Sequence, residues 1–337
     1  MEKVKLKDIA ELLDVSIVAV SKALNDKEGI SAELRARVKE TALQLGYESV
    51  VLKHKSTLIA KTVVVVLDET VLSSINMTQA FYLEFFKNIS AVLQKNNYFT
   101  QLILLNGDDQ SLKAAIKNSN VAGVIFLGEI SRNYIIRVQN ASLPIILVDF
   151  YDKNVDAHSV VTDNLSGSYE LTRLLIKKGH SKIGFVGRVN ATSSIRDRYM
   201  GFYKAMVKNN YGVKDEWIIN DRTEKNVYID IELPQELPTA FVCNSDRAAY
   251  GVINELKKRG KRVPEDISVV GFDNDIFALV SQPKLTTIAV NSEQMSAKAV
   301  ELLLALINNV EFSNNCYAIA GKLIERDSVA KPASNQL

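Results

Sequence analysis

Eight residues near the N-terminus, Ile17 to Leu24 in the stretch VSIVAVSKALN, carry side chains suited to reading nucleic acid. Ser16, Ser21, Lys22 and Asn25 offer hydroxyl, ammonium and amide groups that fit phosphate oxygens and base edges. Ile17 and Val18 stand at the end of the segment that meets bases when such a helix enters the major groove. As a helix, the segment turns Val20, Ala23 and Leu24 inward and Ile17, Val18, Ser21 and Lys22 outward. The same pattern also fits a small helical module that docks on a protein.

The rest of the chain holds little catalytic chemistry. Its three histidines are His54, His158 and His180, and its two cysteines, Cys243 and Cys316, lie far apart without metal-ligand spacing. Both cysteines read as reduced thiols. His180, in KKGHSKIGF, falls at a helix-to-strand turn and reads as a packing histidine. No G-x-G-x-x-G follows a strand, and no Walker A string or nucleophile elbow occurs. The expectation is a protein that is not an enzyme, with no cofactor and no metal.

The elements that must position the N-terminal residues are legible. Leu6, Ile9, Ala10 and Leu13 give a first helix one apolar face, and Asp14-Val15-Ser16 breaks it. Ser16 is placed to cap the second helix and Ser31 a third, whose stripe is Leu34, Val38, Ala42 and Leu45, with Gly46 ending it. Residues 1–62 carry 11 Lys+Arg against 9 Asp+Glu, and the remainder is balanced at 30 each. DNA affinity must therefore come from the placement of cations rather than their excess. The chain has 337 residues, 47% hydrophobic and 24% charged, which fits two or three ordinary domains.

From Thr62 onward, strand-like runs such as KTVVVVLD, VAGVIFLG, LPIILVDFY, SKIGFVG and DISVVGFD alternate with amphipathic stretches. This alternation predicts parallel sheets flanked by helices, an α/β body behind an all-α head. The apolar runs are strand-sized, so no membrane span is expected. The opening MEKVKLKDIAELL alternates charge with apolar residues, unlike a secretory leader, which points to the cytoplasm.

The head resembles the LacI/GalR family of bacterial regulators. KDIAELLDVSIVAVSKALN, a five-residue loop and ISAELRARVKETALQLGY follow that family's pattern over some 40 residues without a gap. The resemblance implies that Ile17 and Val18 read bases and that Ser16, Ser21 and Asn25 anchor the backbone. Lys22 stands where arginine is commonest; lacking the rigid guanidinium fork, it implies a looser preference at its base pair. VVTDNLSGSYELTRLLIKKGHSKIGFVG, RDRYMGFYKAM, VPEDISVVGFDN, PKLTTIAV and LIERDS extend the resemblance to nearly the whole chain. It implies a helix-turn-helix head at 1–47, a hinge at 48–61 and a two-lobed periplasmic-binding-protein-like body at 62–330. Lobe 1 would take about 62–162 and 290–320, and lobe 2 about 163–289 and 321–330.

Two segments depart from the family pattern. The hinge, ESVVLKHKS at 48–56, lacks the usual proline, asparagine and arginine, and Ser56 takes the position of the leucine wedge. Leu52 or Leu58 would have to supply the wedge, with Lys53 holding phosphate. Residues 221–238, DRTEKNVYIDIELPQELP, replace a segment that in the family includes a helix; here the alternation reads as a strand or extended loop, and Tyr228 is placed to restore a missing ring.

In the cleft, family positions carry effector binding to Phe81 and Tyr82 as stacking aromatics, Arg198 as a clamp and Asp273 as a carboxylate at a strand end. Asp149 and Asp246 are further candidates. Ser245 takes the place of a common ligand-binding asparagine and trades an amide for one hydroxyl. The implied protein is a homodimeric repressor of carbohydrate-utilisation genes that binds a near-palindromic operator on double-stranded DNA. A sugar-like effector modulates its affinity. The alternative is a regulator driven by a protein partner, its cleft vestigial.

Overall fold

The computed structural model describes residues 4–47 other than 26 and 46, residues 61–69, residues 78–310 other than 108, residue 312 and residues 315–333. Two compact units divide the chain, Met1–Lys61 and Thr62–Leu337. Among its described residues the first holds three helices: α1 (Leu6–Leu13), α2 (Ile17–Leu24) and α3 (Ala32–Gln44). Asp14 adopts a left-handed conformation (φ 54°), and Val15 N–H closes α1 onto the carbonyl of Ala10 at 3.0 Å. Ser16 and Ser31 accept from Ala19 N–H (3.1 Å) and Leu34 N–H (3.2 Å), so both are N-caps. Ile9, Ala10, Val20, Ala23, Leu24, Val38 and Ala42 form the core. Leu45 departs from the expected stripe: α3 ends at Gln44, and Leu45 lies one step past it, 37% exposed. Gly46 and the hinge at 48–60, with Leu52, Lys53 and Leu58, lie outside the described residues.

In the second unit the strands β1 (Thr62–Asp68), β2 (Phe99–Leu105), β3 (Val121–Leu127), β4 (Ile145–Val148), β5 (His158–Thr162) and β11 (Cys316–Ile319) form one parallel sheet, ordered β11-β5-β4-β3-β1-β2. The run Val63–Leu67 is fully buried because both faces of β1 are covered. Val63, Val65 and Leu67 pack towards α4 (Thr78–Lys95) and α11 (Ser292–Ile307), while Val64 and Val66 pack towards α5 (Gln110–Lys117) and α6 (Arg132–Gln139). A second parallel sheet takes β7 (Ile218–Ile219), β6 (Ile183–Val186), β8 (Ala240–Cys243) and β9 (Ser268–Val270) in that order. Its helices include α7 (Asn164–Lys178), α8 (Ser193–Lys208), α9 (Asp246–Lys258) and α10 (Ile276–Val280).

The chain passes between the two sheets three times. Asp163 follows β5 and caps α7; β10 (Thr287–Ala289) leads to α11; and β11 leads to β12 (Lys322–Ile324). The crossings lie side by side, since β10 pairs with β12 and Asp163 N–H donates to Ile319 O at 2.8 Å. This geometry suits a hinge between two lobes. Residues 221–238 contain no helix: a tight turn brings Arg222 and Tyr228 into an antiparallel bridge, and the chain then runs without regular secondary structure to β8.

His180 ties the end of the chain to the second sheet. Its Nε2 lies 2.9 Å from the carbonyl of Ala330 and its Nδ1 lies 2.9 Å from the Thr239 hydroxyl. Burial holds the imidazole below its ordinary pKa, so the native state favours the neutral ring. This contribution is complete above about pH 6.5 and is lost as pH falls through the depressed native value. His180→Ala leaves a buried carbonyl unpaired and is expected to cost about 1–3 kcal/mol at pH 7.5. Urea titrations of wild type and variant should converge at pH 5; an equal gap at both pH values would remove the histidine from the acid response.

Candidate functional site

The head presents the side chains that its spacing predicts. Ile17 and Val18 are 47% and 65% exposed at the start of α2, while Val20, Ala23 and Leu24 are buried beneath them. Two neighbouring apolar side chains thus stand in water at the start of a capped helix. Ser21 and Lys22 are half-buried, and Asn25 closes the helix by donating its amide to Ser21 O at 2.9 Å. The Lys22 ammonium lies beside the Gly29 turn, 3.4 Å from where a Cβ on Gly29 would stand.

In the body, the first lobe contributes an aromatic pair and a buried carboxyl. Tyr82, on α4, donates its hydroxyl to Asp149 Oδ2 at 3.0 Å. Phe81 meets Tyr82 edge-on at 5.1 Å, and Gly128 leaves room for the ring, since a Cβ there would approach it to 3.1 Å. Asp149 follows β4 in a left-handed conformation (φ 68°) and is buried. Its Oδ1 has no hydrogen-bond partner. Burial pushes its carboxyl up to about 7, with the Asp273 and Glu129 carboxylates adding to the rise and Arg198 and Tyr82 opposing it.

The second lobe contributes a guanidinium. Arg198, on α8, is buried, and three edges of its fork are engaged. Nε donates to Asn164 Oδ1 (2.7 Å), Nη1 to Asn244 O (2.5 Å), and Nη2 pairs with Asp273 Oδ1 (3.1 Å). The guanidinium also lies 3.8 Å from the centroid of the Phe272 ring. Gly201, one turn on, makes the placement possible: a Cβ there would come within 2.2 Å of Leu165 O, so only glycine lets α8 approach α7 this closely. Asp273 has φ 102°, so both cleft aspartates sit in backbone conformations that cost energy and are held by their surroundings.

The lobes also touch directly. Glu129, just past β3, accepts from Ser193 N–H (3.1 Å) and from the Ser193 hydroxyl (3.4 Å) at the N-terminus of α8. Burial pushes the Glu129 carboxyl above its ordinary range, and the bonds from Ser193 oppose that rise. Tyr151 donates its hydroxyl to Asp197 at 3.0 Å and its N–H to Ser193 Oγ at 3.3 Å. Glu129, Asn164 and Asn244 carry no sequence signal beyond a polar residue at a strand end or helix start.

Ser245 and Asp246 stand at the start of α9, and Asp246 Oδ1 has no hydrogen-bond partner. Ser245 caps α9 through Ala248 N–H at 3.2 Å. Asp246 is fully buried and accepts from Asp275 N–H at 2.9 Å, bracing the loop that carries Asp273. Tyr228 is held between two guanidiniums, 4.5 Å from Arg222 and 3.7 Å from Arg247. It lines a groove of about 1000 Å³ with Ile231, Arg247, Tyr250 and Phe277. The Tyr82–Asp149 pair lies outside that groove's lining.

Residues 5–49 match the family described as bacterial regulatory proteins, lacI family, and residues 172–329 match the periplasmic binding protein-like domain. The HTH-type transcriptional regulator RegA of Clostridium saccharobutylicum is 32% identical over 335 residues, covering 96% of this chain and 98% of the relative. The chain belongs to the LacI family. The ribose operon repressor of Haemophilus influenzae is 26% identical over 332 residues, with 96% and 98% covered. Two solved structures share the fold. A transcriptional regulator CelR–cellobiose complex has TM-score 0.67 at 20% identity, with 97% and 100% covered; the lac repressor dimer bound to operator and the anti-inducer ONPF has 0.65 at 20%, with 98% and 100% covered. As a LacI-family chain, the protein is a DNA-binding transcriptional regulator.

The raised pKa of Asp149 has a stability consequence. As pH rises from about 4 towards 7, the unfolded chain ionises this group before the native state does, so the native state loses stability. Asp149→Asn removes the charge and keeps an acceptor for Tyr82. It is expected to raise the melting temperature of the ligand-free protein by about 2–4 °C or more at pH 8, and by less at pH 5. A variant no more stable than wild type at pH 8 would show that the carboxyl is not held at a cost.

Proposed function

We propose that the protein is a homodimeric repressor of carbohydrate-utilisation genes whose operator affinity is set by a sugar-like effector in the interlobe cleft. The observation that carries this is the convergence of unlike groups from two lobes. Aromatic rings and a carboxyl come from one side, and a guanidinium–carboxylate pair comes from the other. Such a set holds hydroxyls by hydrogen bonds and a C–H face by stacking. The names of the relatives agree, including a ribose operon repressor and a cellobiose complex. A vestigial cleft gives no reason to keep a costly buried carboxyl, which disfavours control by a protein partner alone.

The dimer is supported by the exposed apolar residues Ile276, Leu279 and Val280 on α10, and by the need to place two reading helices on two half-sites. The described residues hold no helix long and apolar enough to cross a membrane, and a DNA partner supports a cytoplasmic location. Effector binding and operator binding are linked: whichever arrangement of the lobes the effector favours, operator affinity changes by the same coupling.

The test is operator binding measured by fluorescence anisotropy on a selected near-palindromic duplex and a scrambled one, with and without a carbohydrate library. At least one sugar should change operator affinity about 5–150-fold. If none does, the effector reading fails. Ile17→Ala with Val18→Ala should lower specific affinity by about 1–3 kcal/mol per lost base contact and spare the scrambled duplex. Both affinities should fall steeply with salt.

The buried guanidinium changes what can be asked of Arg198. Truncation to alanine leaves Asp273 buried without its partner, at a cost of about 3–5 kcal/mol, so Arg198→Lys is the informative variant. It should retain folding and DNA binding and weaken the effector response at least tenfold, because an ammonium cannot engage Asn164, Asn244 and Asp273 in one plane. An unchanged response would exclude Arg198 from effector binding.

A further inference from the structure

Residues 222–234 form an arm that is fastened at both ends and apolar at its tip. Its turn closes with Thr223 N–H on Val227 O at 2.8 Å, and Ile229 N–H returns to Asp221 O at 3.0 Å. Arg222 holds the root: Nε and Nη2 donate to Asp221 at 3.0 and 2.8 Å, and Nη1 donates to Asn226 at 3.1 Å. Arg259, just past α9, holds the other end by donating to the carbonyls of Leu233 and Pro234 at 2.6 and 2.8 Å. Gly251 on α9 leaves room for Ile231, since a Cβ there would approach it to 2.9 Å. Between these anchors Val227 and Ile229 stand 57% and 44% exposed.

Scattered apolar residues on a surface are ordinary, but these two belong to a continuous tract. Ile229 lines the groove of about 1000 Å³ between the arm and α9, together with Tyr250 and Phe277. Tyr250 meets Phe277 at 5.4 Å, and Phe277 lies on α10, whose Ile276, Leu279 and Val280 are exposed. The groove therefore runs into the α10 face that supports the dimer. Its two walls differ in charge. From 223 to 232 the arm carries Glu224, Asp230 and Glu232 against Lys225. The α9 wall carries Arg247, Lys257 and Lys258 against Glu255. A twofold rotation sets an acidic wall of one copy on the basic wall of the other, and does so twice.

We propose, resting on the homodimer reading above, that the occupant of this groove is a second copy of the chain. Each arm seats Val227 and Ile229 against the other copy's groove, with Asp230 of one copy facing Lys257 of the other. The arm stands where the sequence departs from the family pattern, so it makes this pairing particular to the chain. Apolar burial supplies the affinity. The charges supply the choice of partner, since exposed ion pairs add little strength but like charges set face to face are rejected.

The experiment is sedimentation velocity of the full chain without DNA, over a dilution series from nanomolar to tens of micromolar. Wild type should be a dimer in the micromolar range. Ile229→Asp with Val227→Asp should raise the dimer dissociation constant at least tenfold. Val207→Asp, an exposed position on α8 outside the groove lining, should leave it unchanged. Asp230→Lys and Lys257→Glu should each weaken self-pairing about threefold or more, and an equimolar mixture of the two should form the mixed dimer in preference to either self-pair. A wild-type dimer that the arm variants leave intact, that Val207→Asp weakens equally, or whose charge variants show no preference for each other overturns the assignment and leaves the homodimer reading standing. A wild type that stays monomeric throughout fails both.

Discussion

Burying a guanidinium is tolerable only when every edge of it is answered, and the second lobe is arranged around that requirement at Arg198. Asn164 starts α7, Asn244 follows β8 and Asp273 follows β9, so three elements distant in sequence meet on one side chain. Gly201 brings α8 down onto α7 so that the reach is short. Asp246 and the cap at Ser245 fix the loop from which Asp273 projects. Buried ion pairs of this kind contribute little net stability, because desolvation offsets most of the attraction. Their physical value is positional: the carboxylate and the two amide-bearing residues can satisfy the guanidinium in one arrangement only.

The contacts between lobes are of a different kind. Glu129 on Ser193 and Tyr151 on Asp197 are polar and partly solvated, and they join elements that each lobe holds rigidly. Such contacts can be exchanged for water at small cost, whereas the parallel sheets behind them cannot deform. Three side-by-side crossings leave relative motion of the lobes as the soft coordinate.

How much of this was legible in the sequence depended on whether the cause was local. Caps and helix periodicity are local, so Ser16, Ser31 and the inward set Val20, Ala23 and Leu24 stand where spacing put them. Leu45 fails for a local reason too, since α3 ends one residue before it. Residues 221–238 read as a strand or extended loop; they form no helix and, apart from one isolated bridge, no strand, and two prolines with alternating side chains leave no helical face. Tyr82, Asp149, Arg198 and Asp273 were visible through the family resemblance, but their partners were not. Asn164, Asn244 and Glu129 matter because of contacts 34 to 64 residues away in sequence, and nothing in their own neighbourhood marks them. Ser245, an effector candidate by its family position, also answers a local demand that spacing alone shows, the cap of α9.

The two aspartates of the cleft illustrate why such a site is found where stability is sacrificed. Each occupies a left-handed or near-left-handed backbone conformation that most residues avoid, and burial raises the pKa of each above its ordinary value. A sequence selected for stability alone would replace them with residues that suit the backbone or the dielectric. Their expense is bearable because the sheets on both sides bury long apolar runs, Val63–Leu67 in one lobe and Ala240–Val242 in the other. Strained, charged and incompletely bonded groups placed at strand ends over such cores are poised to gain more from a ligand than from any rearrangement of their own.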